Sequence, residues 1–127
     1  MLDLAIADYL ARQTAMWAWL EQSPRAVKLR PGDRIPALLI RQRGPAKPVD
    51  NSTDRARLLF IALGRTEMTA GIIQKAVERE FVEAPKYFER AMVTKLTKLG
   101  RYRGSGFRDG VECHARVSVY ECDYEPL

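Results

Sequence analysis

The chain has one histidine, two cysteines and no long hydrophobic run. Each scarcity removes a class of function. With His114 as the sole imidazole and with Cys113 and Cys122 at no metal-like spacing, the sequence offers no zinc set, and a disulfide between the two is the less favoured alternative to free thiols. The two thiols read as reduced side chains of a cytoplasmic protein, Cys113 being a small core residue on the apolar phase of a strand. Walker loops, nucleotide-binding glycine fingerprints and serine-nucleophile elbows are missing from the sequence. No catalytic residue, cofactor or metal is expected, and the chain does not read as an enzyme. Unbroken apolar stretches are short, as in Leu58–Leu63 and Ala37–Ile40, far below the roughly 20 residues that a membrane helix needs. The first residues carry Asp3 and no basic cluster before it, so they read as part of the fold and not as a signal peptide.

What the chain does have is positive charge, unevenly placed. It has 127 residues, 21 Lys and Arg against 16 Asp and Glu, and a net charge of +5. Residues 25–50 hold seven basic and two acidic groups, and residues 85–108 hold seven and one; residues 109–127 reverse the balance with one and five. Two basic blocks suggest a footprint for phosphate, against the alternative of a solvated basic surface.

The periodicity predicts an amphipathic helix over residues 2–22, with Leu2, Ile6, Tyr9, Leu10, Met16, Trp17 and Leu20 on one face. That face would pack on its own core or on a second copy of the chain. Prolines and glycines then exclude a long helix over residues 25–51, leaving room for a strand at Ile35–Arg43 and a linker after it. From Asn51 the signals suggest three helices. Asn51, Ser52 and Thr53 are candidate caps for the first, which contains Leu58, Leu59, Ala62 and Leu63. Thr69 would cap the second, with Ile72, Ile73, Ala76, Val77 and Phe81. Pro85 would open the third, in which Tyr87, Phe88, Ala91, Met92, Leu96 and Leu99 recur at helical spacing before Gly100. After Gly100 the period falls to two, with Val111, Cys113, Ala115, Val117 and Val119 inward. A glycine-rich turn at Gly104–Gly110 makes this a β-hairpin. The acidic tail beyond residue 122 reads as mobile.

Met68-Thr69-Ala70, the run KYFERAMVTKLTKLGRY and the basic, glycine-rich hairpin before RVSVY resemble the winged helix-turn-helix superfamily. The resemblance covers a little over half of the chain. It implies an α+β fold: a three-helix winged helix-turn-helix domain at residues 51–122 with a C-terminal β-hairpin wing. That domain would be preceded by the N-terminal helix and basic extended segment at 1–50 and followed by the acidic tail at 123–127. It also implies duplex DNA as partner, read by helix 85–99. Lys86, Tyr87, Arg90 and Thr94 would face the groove, and Lys95, Lys98, Arg101, Arg103 and Arg108 would meet phosphates. On this reading the protein is a transcriptional regulator, dimeric if residues 2–22 form a seam. The alternative reading is a protein-interaction module of a phage or mobile element that docks on a host protein. A third is a structural component of a larger particle. Neither needs a membrane.

Overall fold

A computed structural model describes residues 2–11, 35–80, 86–88, 91–108 and 110–126. The elements run α1 (Leu2–Ala11), β1 (Ala37–Pro48), β2 (Asp54–Gly64), α2 (Glu67–Glu80), β3 (Lys86–Phe88), β4 (Ala91–Arg108) and β5 (Val111–Pro126). The strands form one antiparallel sheet in the order β1-β2-β5-β4-β3. This is not a winged helix-turn-helix. The expected first helix is β2, and the expected third helix is β3 and β4. Of the three helices expected after Asn51, only the second is a helix.

The hairpin of β1 and β2 shows why the first expectation failed. LLFIAL is apolar on both phases, so its helical spacing and its strand alternation are equally satisfied. In the sheet, Ala56, Leu58, Phe60 and Ala62 are buried on one face, whereas Leu59, Ile61 and Leu63 are half-buried on the other. The residues expected to cap a helix make a turn instead. The Asp50 carboxylate accepts the backbone N–H groups of Ser52 and Thr53 at 2.9 and 2.8 Å, and Val49 N–H donates to Thr53 O at 2.8 Å. Short polar side chains serve caps and turns by the same chemistry. The expected linker after Arg43 is a continuation of β1, displaced by a register shift between Arg43 and Lys47 where Gly44 adopts φ 76°.

Two similar irregularities explain the third helix that is not there. The register of β4 against β5 slips between Val93 and Lys95 and again between Lys98 and Gly100. Val93, Leu96, Lys98 and Arg101 therefore oppose Tyr124, Cys122, Tyr120 and Ser118, on the face that carries the core. Each bulge converts a step of two into a step of three, which imitates a helical period in the sequence.

Helix α2 is where the sequence suggests it, but its cap is one turn earlier. Thr66 Oγ1 accepts the Thr69 N–H at 3.1 Å, satisfying a donor that the helix itself leaves unpaired. Gly64 precedes it because the chain turns tightly there: a Cβ at this position would lie 2.7 Å from the Ala70 nitrogen. Gly64→Ala is therefore expected to lower stability by about 1–2 kcal/mol, measurable by urea denaturation.

One face of the sheet carries both described helices. Leu2, Ala5, Ile6 and Leu10 of α1 and Ile73 and Val77 of α2 pack with Leu38, Ile40, Leu58, Phe60, Val93, Tyr120 and Cys122. The phase of β5 is thus opposite to expectation: Ser118, Tyr120 and Cys122 point to the helices, and Val117 to the other face. Residues 123–126, expected as a mobile tail, lie within β5, and Asp123 is tied to Arg55. The part of the amphipathic helix expected over 12–22, and the basic residues of 25–34, lie outside the described residues.

Candidate interaction surface

The residues expected to read DNA do not share a helix face. Lys86 and Tyr87 belong to β3, opposite Val93 and Met92. Arg90 lies outside the described residues. Thr94, Lys95, Lys98, Arg101, Arg103 and Arg108 are spread along β4, on both sides of its ladder, and Arg108 pairs with Val111 next to the hairpin tip. They do not form the single exposed row on a recognition helix that the winged-helix reading required.

Most of the described cations of β4 are also already engaged. Glu78, in the last turn of α2, has its side chain only 10% exposed and sits over the sheet. Its carboxylate takes Arg101 in a two-pronged pair, one prong being Nε to Oε2 at 2.9 Å. It also accepts from Lys98 Nζ at 3.0 Å and from the buried Ser118 hydroxyl at 2.9 Å. Burial pushes this carboxyl up, but the hydrogen bonds from Arg101, Lys98 and Ser118 outweigh it and hold it below the ordinary range. Glu67, in the first turn of α2, does the same for Arg103 and Arg116 at 2.5 and 2.9 Å. The hydrogen bond from Arg103 is the main cause of its lowered pKa. Thr94 donates to the Asp123 carbonyl at 3.2 Å. Glu78, which reads as a solvated face in the sequence, is an anchor between helix and sheet. The sequence signal for it was available: Glu67 and Glu78 are three turns apart on one helix, opposite a basic strand.

The opposite face of the sheet has the converse character. The register places Arg43 directly opposite Arg57, and Lys47 opposite Arg55. Arg41 is one row further along, opposite Leu59. Arg55 forks onto Asp123 at 2.7 and 3.1 Å and lies 3.6 Å from Glu121; its hydrogen bond is the main cause of the lowered Asp123 pKa. Arg57 reaches Glu121 only at 4.0 Å. The bulge of β1 opens a cleft of about 350 Å³ here, lined by Arg43, Gly44, Pro45, Lys47, Arg55, Ala56, Arg57 and Glu121.

Chemistry is weakly represented. His114 Nε2 lies 3.0 Å from Glu112 Oε1 at the hairpin end. Among the described residues, no three His, Cys, Asp or Glu side chains gather as a metal site, and no helix is long and apolar enough to cross a membrane. Both cysteines are thiols, Cys122 buried and Cys113 half-buried. It is Cys122, not Cys113, that belongs to the core. Burial, with Asp123 and Glu121 nearby, pushes Cys122 up to about 12. A disulfide-exchange reagent at neutral pH should therefore label Cys113 first, and Cys122 only on unfolding. Equal labelling rates in the native protein would contradict the packing described.

No protein-family model matches the chain, and no curated protein matches it. Its fold is nevertheless shared. A chain in the virion of a native gene transfer agent particle superposes with a TM-score of 0.69 at 14% identity, covering 98% of this chain and 94% of that one. At that identity the likeness is one of fold. The shared sheet-and-helix fold overturns the winged-helix resemblance, and the transcription-regulator reading that rested on it loses its support.

Proposed function

We propose that the protein is a structural component of a phage-like particle, acting through contacts with other protein chains and not as a DNA reader or an enzyme. The observation that carries the reading is the fold shared, nearly end to end, with a chain of a gene transfer agent virion. This favours the phage or mobile-element alternative over the regulator.

Two features support it. The described cations of β4 are largely neutralised within the chain by Glu67 and Glu78, so they are poorly placed to release counterions from DNA. The sheet also has two open edges among the described residues. β3 covers only Ala91–Val93, leaving β4 without a neighbour from Thr94 onward, and β1 has β2 on one side only. Open edges recruit other strands. Because the order β1-β2-β5-β4 alternates in direction, the β4 edge of one copy runs antiparallel to the β1 edge of the next in a head-to-tail ring. Such heterologous contacts build rings where the rotation between neighbours closes and open filaments where it does not.

Static light scattering of the purified protein across a concentration series tests the reading. A discrete oligomer, or a discrete complex with another particle protein, is expected, with no duplex DNA retained at roughly 150 mM salt. A strict monomer that retains duplex DNA would contradict it.

A further inference from the structure

The outer face of the β1–β2 hairpin carries a choice of residues that the fold does not explain. Like charges directly opposite across an antiparallel ladder are destabilising. Here two such pairs follow each other, Arg43 with Arg57 and Lys47 with Arg55. The nearby carboxylates do not balance them. Asp123 is committed to Arg55, Asp50 to the turn at Ser52 and Thr53, and Glu121 stands 3.6 Å from Arg55 and 4.0 Å from Arg57. Arg43 and Lys47 are exposed and have no ion pair among the described residues. The strand is bulged at this point, with Gly44 in the left-handed region, and the bulge makes the cleft. A β-bulge that re-aims side chains at a place of local repulsion is a functional signature.

We propose that this cleft binds carboxylates of a partner protein, an acidic segment laid along the bulged end of β1 and β2. Arginine forks suit bidentate carboxylate recognition, and desolvation by a protein partner strengthens it. A protein is favoured over a nucleic acid because the exposed Pro45 lines the cleft. The neighbouring rows of the same face are also aliphatic, with half-buried Leu59 opposite half-buried Val119, then Ile61 opposite Val117. An acidic segment with an aliphatic residue beside its carboxylates satisfies both chemistries, whereas a phosphate backbone satisfies one. The inference stands on the ladder and the cleft and does not need the particle reading to hold.

The test uses the full chain with two labelled probes, an oligoglutamate peptide and a short duplex DNA, followed by fluorescence anisotropy at low salt. The parent should bind the peptide more tightly than the duplex. The double variant Arg43→Gln, Lys47→Gln should bind it roughly tenfold more weakly, the scale of losing two charge-assisted contacts. Its melting temperature should equal or exceed the parent's, because the repulsion has been removed. Arg79→Gln, on the exposed face of α2, should leave binding unchanged. Three results would overturn the proposal: undiminished peptide binding by the double variant, a parental preference for the duplex, or a lower melting temperature in the double variant. The last would mean that these cations are structural.

Discussion

Phe60→Ala should remove a large share of the stability of this protein, about 3–5 kcal/mol. Phe60 is 2% exposed in the middle of β2 and meets Tyr120 of β5 edge to face, with ring centroids 5.4 Å apart. It belongs to the cluster that includes α1, α2 and four of the strands, so the cavity left by truncation would sit where the layers meet. Interiors are too densely packed to collapse around such a void. A domain of this size has about 5–15 kcal/mol in total, and the loss corresponds to a drop of roughly 10–20 °C in melting temperature. Phe60→Leu should cost much less, since it keeps most of the volume. If Phe60→Ala melts within a few degrees of the parent, the assigned core is wrong.

Glu78→Ala should cost about 2–3 kcal/mol, the largest effect expected from any charged residue described. Removing the carboxylate strands the Ser118 hydroxyl, which is fully buried, and leaves Arg101 and Lys98 facing each other without an anion. An unmade buried hydrogen bond costs more than a made one contributes. The two cations are partly solvated, at 50% and 39% side-chain exposure, which keeps the cost below that of a dry ion pair. The pH dependence has a fixed sign. The Glu78 pKa is lower in the folded chain than in the unfolded one. The stability it supplies is therefore present above the unfolded value, about 4.3, and is lost as the pH falls through the folded value. Glu78→Gln should accordingly be less stable than the parent at neutral pH and converge on it in acid. Denaturant melts at a series of pH values measure this. Parallel curves for parent and variant from neutral pH down to strong acid would show that Glu78 has no such role.

The parts of the fold legible in the sequence are those in which one period dominates. Helix α2 keeps Ile73 and Val77 on one face and is flanked by threonines and a glycine, and β5 shows as a strand by its alternation, although that alternation pointed the wrong phase inward. β2 was ambiguous because a central strand covered on both phases has no polar face to reveal its period. β4 was misleading for a different reason: its bulges fall at Thr94 and Leu99, so the residues facing the core, Val93, Leu96, Lys98 and Arg101, are separated by steps of three, two and three, while Leu99, which completes the helical spacing in the sequence, is exposed. The candidate surface was legible in composition only. Charge runs along the chain located the basic residues, but the sheet decides their partners. It brings Lys98, Arg101, Arg103 and Arg116 under the carboxylates of α2 and leaves Arg43 and Lys47 without them. Cross-strand register is a long-range property, and a local reading does not contain it.

Quantitative mass spectrometry of intact particles from a producing host tests the central claim most directly. The account predicts that the chain co-purifies with nuclease-treated particles in a fixed, low-integer ratio to the other structural proteins. Its absence from those particles, with the chain recovered instead on cellular DNA, would contradict it.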